Sequence, residues 1–300
     1  MTRKTPRRGA GFGPPEGRPA RPAAKAAHKT PNQKPARPFE AQRARQENHD
    51  KPAPRPRREA RPADVVHIYG FHSVAAALRA PRRKLIRLYA TAAAAERLAA
   101  EVAARALEVR ILDTDAIGLL APREAVHQGL LLEARPLEPI DISELPTNGL
   151  VLVLDQITDP HNVGAILRTA AAFAVDALMT TERHSPEFTG ALAKSASGGL
   201  EHVPICSVTN LARAMGELGD LGYWRVGLDS EAPESLGALA LNRPVALVLG
   251  AEDKGLRRLT REHCDVIARL DLPGAIKSLN VSNACAIALA IVSGKLSQPA

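Results

Sequence analysis

Leu270-Asp-Leu-Pro-Gly-Ala-Ile-Lys-Ser-Leu-Asn-Val-Ser-Asn-Ala-Cys-Ala-Ile-Ala-Leu289 decides how the rest of the chain is read. Its first half, through Leu279, is a loop broken by Pro273 and Gly274. Its second half is an apolar run with small residues at helical spacing. Ser278, Asn280, Ser282 and Asn283 crowd the junction. Two readings stand at this point. Ser and Asn are good helix N-caps, so the junction is a helix start. Short polar side chains on a loop held by a rigid support also make a ligand site.

The same grammar recurs twice upstream. Leu150-Val-Leu-Val-Leu154 and Pro244-Val-Ala-Leu-Val-Leu-Gly250 are continuous apolar runs, the pattern of parallel strands buried on both faces. Each is followed by a polar loop, Asp155-Gln-Ile-Thr-Asp-Pro-His-Asn162 after the first and Gly250-Ala-Glu-Asp-Lys-Gly255 after the second. Gly164 to Val175 reads as an Ala-rich helix with Arg168 on its second turn. Further strands are expected at 177–180, 203–208 and 223–227, and a helix at 211–218, with 189–198 small and polar. In an open α/β sheet ligand loops gather at the carboxyl ends of strands. Residues 155–162, 250–255 and 273–283 are therefore the candidate loops. They offer Asn162, Arg168, Glu252, Lys254, Ser278 and Asn280. The set suits positioning, phosphate binding and proton management. It holds no Cys or His nucleophile with an evident base, which disfavours covalent catalysis. Taken singly, each residue has a plainer use: Asn162 as a helix cap, Glu252 beside a helix start, Arg168 and Lys254 as solvated charge.

Ahead of this region, 65–136 alternates strands and helices and is expected to be a small α/β domain of about 70 residues. Strands are expected at 67–70, 84–90, 109–112 and 129–134, and helices at 71–78, 92–107 and 113–120. The proline-bearing stretch 137–148 is expected to be a linker to a second domain spanning 149–300. Residues 1–62 are different in kind. They carry 17 Lys and Arg against 5 Asp and Glu, with 12 of the 24 prolines. The formal net charge of +8 thus comes from this tail, the remainder summing to −4. Such a segment buries too little apolar surface to offset its ordering entropy and is expected to be disordered. Its charge suits polyanions, nucleic acid and an anionic membrane both being open, and loose RNA association through phosphates stands level with a plain solubility tail.

Cys206, Cys264 and Cys285 show no metal-ligand spacing, and an odd count argues against a disulfide framework. No Gly-x-Gly-x-x-Gly follows the first strand and no phosphate-binding Gly-x-x-x-x-Gly-Lys-Ser is present, so dinucleotide and ATP chemistry lose weight. No apolar run is long enough to span a bilayer, and the N-terminus lacks a secretory core. A cytoplasmic protein without membrane or metal partner is expected.

Asp155-Gln-Ile-Thr-Asp-Pro-His-Asn-Val-Gly-Ala-Ile-Leu-Arg-Thr-Ala170 resembles the first motif of the SpoU (TrmH-type) RNA 2′-O-ribose methyltransferases of the SPOUT superfamily. Val248-Leu-Gly-Ala-Glu-Asp-Lys-Gly-Leu256 resembles the second, and Leu272 to Ala284 with the helix after it the third. The segment 66–134, opening with Tyr69-Gly-Phe-His-Ser-Val, is similar to the L30e-like substrate-binding domain of the subgroup that methylates a guanosine in 23S rRNA. Asp253 departs from the pattern, since many members have glycine there. The resemblance implies S-adenosyl-L-methionine as methyl donor, a C-terminal trefoil knot, and a homodimer with the site at the subunit interface. The residues alone would have given an ordinary doubly wound sheet. The resemblance further implies Arg168 as the catalytic residue, Asn162 orienting it or the ribose, and Glu252 holding a polar partner. Ser278 and Asn280 line the methyl-transfer pocket, and Gly250, Leu270 and Leu279 give backbone groups to the cofactor. Ser282 and Asn283 keep the helix-cap reading. The expected substrate is 23S rRNA or a precursor of the large ribosomal subunit. The alternatives are a tRNA 2′-O-methyltransferase and a non-catalytic RNA-binding assembly factor.

Overall fold

The computed structural model describes residues 65–297 except 124, 184, 187 and 189. The expectation of a disordered tail over 1–62 falls outside the described residues.

The first sheet is built from β1 (Val66–Tyr69), β2 (Leu85–Ala90), β3 (Val109–Ile111) and β4 (Leu130–Ala134). Their order is β1-β4-β2-β3, with β4 antiparallel to both neighbours and β2 parallel to β3. The central position of β4 explains its Leu-Leu-Leu run. Leu130, Leu132 and Ala134 enter one core, and Leu131 packs with Tyr69, Tyr89 and Ile117 on the other face. Around the sheet lie α1 (Phe71–Arg79), α2 (Ala92–Arg97), α3 (Ala99–Arg105) and α4 (Thr114–Leu120). The single helix expected over 92–107 is in fact two. It breaks at Leu98 (φ −114°, ψ 15°), whose side chain is fully buried. Burial of that one leucine overrides the helix preference of the alanines on either side.

Residues 137–148 are anchored rather than free. Ile140 bridges to Cys206 and donates its N–H to the Ile205 carbonyl at 2.8 Å. Asp141 and Glu144 form a reciprocal capping box over a single 3₁₀ turn, and Leu145 is buried.

The second sheet has seven strands. In chain order the elements are β5 (Leu150–Asp155), α5 (Pro160–Ala172), β6 (Ala177–Thr181), α6 (Gly190–Ala196), α7 (Gly199–His202), β7 (Ile205–Val208) and α8 (Leu211–Asp220). Then follow β8 (Trp224–Leu228), β9 (Glu234–Ser235), β10 (Val245–Gly250), α9 (Arg258–Glu262), β11 (Val266–Arg269) and α10 (Val281–Leu296). The strand order is β7-β6-β5-β10-β8-β11-β9 and every pairing is parallel. Alternation along β5 shows why its sequence is wholly apolar. Leu150, Leu152 and Leu154 join the core with α5 and α10, while Val151 and Val153 join the core with α8. Chain order runs outward from β5 through β6 to β7 on one side, and on the other side β10 is followed by β8, β11 and β9. The two adjacent strands end together, Asp155 opposite Gly250. That is the switch point of the sheet, where ligand crevices form. Among the described residues no helix is long and apolar enough to cross a membrane.

The two sheets share one continuous core. Where β1 meets α6, a Cβ on Gly190 would lie 2.1 Å from the His67 carbonyl oxygen, so only glycine permits the approach. Ser73 donates its hydroxyl to the Ala193 carbonyl at 3.0 Å. The Arg83 guanidinium grips Glu201 through Nε at 3.0 Å and Nη2 at 2.5 Å, both side chains 2% exposed. Arg83 also donates to the Arg135 carbonyl at 3.0 Å. A buried pair of this kind contributes mainly orientation, because its attraction is offset by desolvation. Arg83→Ala leaves the Glu201 carboxylate unpaired and should lower the unfolding free energy by about 3–5 kcal/mol, whereas Arg83→Met with Glu201→Leu should be near neutral. Urea titration followed by the fluorescence of Trp224, the one tryptophan, checks both. Equal losses in the single and double variants would refute the account.

Candidate active site

Asp155 ends β5 fully buried. Its carboxylate accepts from the Arg257 backbone N–H at 2.9 Å and from Arg257 Nε at 2.6 Å, which ties the loop after β10 to the end of β5. After Asp155 the chain turns and α5 starts at Pro160, capped by Asp159, whose carboxylate accepts from the His161 N–H at 2.9 Å. The helix thus begins four residues before the expected Gly164. Asn162 lies inside its first turn and Arg168 on its third. The Asp159-Pro160 pair carries the signal, a capping carboxylate followed by a residue with no N–H to satisfy.

The loop after β10 is a tight return. A Cβ on Gly250 would sit 2.2 Å from the Gly255 carbonyl carbon, and Gly255 (φ +60°) donates its N–H to Ala251 at 2.8 Å. The return leaves the Glu252 side chain projecting. The loop after β11 closes on itself through Lys277 Nζ to the Leu272 carbonyl, 2.6 Å, and ends at Asn280, the N-cap of α10.

These loops meet on one oxygen. Glu252 Oε1 accepts from Asn162 Nδ2 at 3.0 Å, Asn280 Nδ2 at 2.6 Å and the Val281 N–H at 3.1 Å. Asn280 Nδ2 also donates to Asn162 Oδ1 at 3.0 Å, and Asn280 Oδ1 accepts from the Ser282 N–H at 2.9 Å. Asn280 is therefore the cap and a junction residue at once, while Ser282 and Asn283 lie within the first turn of α10. A carboxylate only accepts, so both amides must turn their nitrogens toward it.

Beside this junction lies a cavity of about 300 Å³. Gly250, Glu252, Leu270, Ser278 and Leu279 all line it. So do Leu228, Asp229 and Ser230 at the carboxyl end of β8, a fourth loop that the sequence reading passed over. The strand-end rule that found the other three applies to it equally. The Asp229 carboxyl lies below its ordinary range: burial pushes it up, but the Glu231 N–H and the Arg261 guanidinium outweigh that. Among the described residues no cluster of His, Cys, Asp and Glu is arranged to hold a metal.

Arg168 is not in this cavity. Six residues separate it from Asn162, which places the two about 120° apart around the helix axis. Asn162 is hydrogen-bonded to Glu252 and Asn280, not to Arg168. Arg168 is exposed in a separate cleft of about 290 Å³ between α1 and the α6–α7 turn.

Comparison with known proteins gives the family. The profile of the SpoU rRNA Methylase family matches residues 149–290, and that of RNA 2′-O ribose methyltransferase substrate binding matches residues 67–140. The chain is 38% identical over 234 residues to the 23S rRNA (guanosine-2′-O-)-methyltransferase RlmB of Pasteurella multocida, covering 74% of this chain and 95% of that one. The chain belongs to the SpoU rRNA methylase family. Its similarity to the RlmB protein of Pseudomonas aeruginosa is 39% over 235 residues, covering 74% of this chain and 93% of that one. The SpoU methyltransferase AviRb from Streptomyces viridochromogenes, solved with its cofactor AdoMet, superposes with a TM-score of 0.67 at 20% identity, covering 78% of this chain and 91% of that chain. That likeness concerns the fold. The loops after β5, β10 and β11 are the three segments whose sequences carry the SpoU resemblance, and Glu252 joins them.

Burial, the largest influence, pushes the Cys206 thiol up to about 11 and those of Cys264 and Cys285 up to about 12. A raised thiol value keeps the neutral, unreactive form at pH 8. Native protein should therefore show no fast-reacting thiol with Ellman's reagent at pH 8, and three after denaturation; a rapidly labelled native thiol would refute this. At the junction, Asn280→Ala should cost about 1 kcal/mol through the lost cap, whereas Asn280→Ser keeps the cap and loses only the amide donor. Chemical denaturation of both variants tests whether cap and junction are separable, and identical losses would show that they are not.

Proposed function

We propose that this chain transfers a methyl group from S-adenosyl-L-methionine to a ribose 2′-hydroxyl of RNA, a guanosine of 23S rRNA, working as a cytoplasmic homodimer. The observation that carries this reading is the meeting of all three SpoU-like loops on Glu252 beside a cavity of cofactor size. Identity of 38–39% along nearly the whole length of the RlmB relatives names the substrate class.

The cavity residues suit the cofactor. The volume falls at the low end of the range for organic ligands, roughly 300–1,000 Å³. Leu228, Leu249 and Leu270 provide apolar walls, and Gly250 lines the cavity at the end of β10. Backbone groups of Gly250, Leu270 and Leu279 would hold the cofactor's polar edges, with Ser278 toward the methyl group and Asn280 at the junction beside the cavity. When bound, the cofactor supplies an electrophilic methyl on a cationic sulfur.

The chain's own task is to bring a poorly acidic hydroxyl into line and to manage its charge. Arginine stays protonated at any working pH, so Arg168 serves as a clamp on phosphate and on the developing alkoxide, the proton leaving to phosphate or water. Glu252 fixes Asn162 and Asn280 so that the hydroxyl meets a preset wall. Arg168 points away from the cavity of its own chain, which supports a site completed across a two-fold axis. An apolar α10 with Ile287 40% exposed, and Ile276 74% exposed in the loop before it, supplies a surface for that partner. The segment 270–284 is the part that would close a trefoil knot over the cofactor.

Arg168→Ala should lower methyl transfer by about 10²–10³ in kcat while calorimetry shows unchanged S-adenosylmethionine binding. Near-normal turnover would overturn its role. Mapping 2′-O-methyl sites in total RNA with and without the gene tests the substrate: a lost guanosine signal in 23S rRNA supports it, and an intact rRNA map with a lost tRNA site overturns it.

A further inference from the structure

The cleft that holds Arg168 is built by both sheets' elements. One wall is α1, with Phe71, His72 and Arg79; the other is α5 and the α6–α7 turn, with Arg168 and His202. Its floor is small: Ala75, Ala76, Ala171, Ala196, Gly198 and Gly199. At Gly198 a Cβ would stand 2.6 Å from that of Ala76, so the walls approach as closely as packing allows. The side chains of His72, Arg168 and His202 are exposed, and among the described residues none of them is held by a hydrogen bond or ion pair. Arg79 is 66% exposed and shares its charge with Glu101 through Nε at 3.1 Å and Nη2 at 2.5 Å, leaving Nη1 unengaged. At the rim the Arg97 guanidinium lies 3.9 Å over the Phe71 ring. Glu201, next to His202 in the chain, is paired with Arg83.

A narrow slot with two guanidinium groups, two imidazoles and a floor without bulk is built for a small, tetrahedral, multiply charged group with a thin chain attached. From this we infer that the cleft is the seat of an RNA phosphodiester next to the target ribose, with Arg79, His72 and His202 as binding residues alongside Arg168. The inference rests on the methyltransferase reading above and adds residues to it. The buried Arg83–Glu201 pair and the Ser73–Ala193 bond hold both walls, so the slot is preformed and binding need not order it. Small-domain residues then do more than recruit RNA: they set the register of the strand relative to Arg168. The guanidinium and imidazole donors read the backbone and not the base, so they position without specifying sequence.

The test compares the full chain with Arg79→Ala, with His72→Ala plus His202→Ala, and with Arg213→Ala, using in vitro transcribed 23S rRNA. Arg213 is an 80% exposed arginine on α8 outside the cleft and controls for general loss of charge. Arg79→Ala should raise KM for RNA about tenfold, as expected for one charge-assisted bond, with kcat and S-adenosylmethionine affinity unchanged. The slope of log affinity against log salt should shrink by about 0.7 per lost contact. Arg79→Lys should recover part of the loss, and Arg213→Ala should leave KM in place. Cleft variants that keep the KM and salt slope of the parent, or that weaken no more than Arg213→Ala, overturn the inference while the parent's methylation stands. A parent chain that fails to methylate 23S rRNA instead overturns the function reading. All substituted side chains are exposed, and circular dichroism confirms that the variants fold.

Discussion

One carboxylate oxygen, Oε1 of Glu252, ties together segments of chain that are 90 and 28 residues from it in sequence. The need for such a tie follows from the sheet. Parallel strands deliver their carboxyl ends to one edge, and the loops that leave that edge carry Pro and Gly and little apolar surface. Ile157 and Leu256 fasten two of these loops to the core, and something must still hold their polar tips at fixed separations. An acceptor-only group reached by three donors can, since each donor left without it would have to find water or stay unpaired. The group is exposed, so the bonds contribute modest stability; what they contribute is position. Gly250 and Gly255 make the return that aims Glu252, and Asp155 with Arg257 anchors the return to β5.

The parts legible in the sequence are those whose cause is local. Apolar runs at 150–154 and 244–250 announced two buried parallel strands, and the loops beyond them are the ones that converge. The junction at 278–283 was legible as polar but not as to role, since Asn280 serves both as cap and as donor to Glu252. Other features depend on distant residues. Leu98 interrupts an Ala-rich helix because a core is waiting for it. The stretch 189–198, read only as small and polar, contains α6, and Gly190 and Gly198 are glycine because β1 and α1 press against them. The pairing of Arg83 with Glu201 spans 118 residues and has no local pattern at all.

Docking of the small sheet follows a different logic from the loop junction. There the close approach comes from absent atoms, at Gly190 and Gly198, and the orientation from a buried ion pair and a single hydroxyl bond. Polar groups buried at such a contact constrain geometry more than they add stability, because the wrong registry would leave them unpaired. A domain meant only to raise local RNA concentration would not need that. A domain that supplies one wall of a slot beside Arg168 would.

Helix periodicity then separates the labour within α5. Its first turn turns Asn162 toward Glu252 and the cavity; its third turns Arg168 toward the cleft, about 120° away. A single chain therefore presents the two halves of its candidate chemistry on different faces of one rigid helix. No rotamer change brings Arg168 into the cavity that Glu252 guards, because the helix itself sits between them, packed at Gly164 and Gly199 too closely to rotate. The sequence reading, with Arg168 one turn nearer the start of a shorter helix, had no reason to separate them. On the proposed function, the separation favours a second copy of the chain, rather than a lid or a loop motion, as the way to unite methyl donor and clamp. On the same reading the cleft has a reason to be preformed: an RNA strand seated there would be positioned before it meets the cofactor.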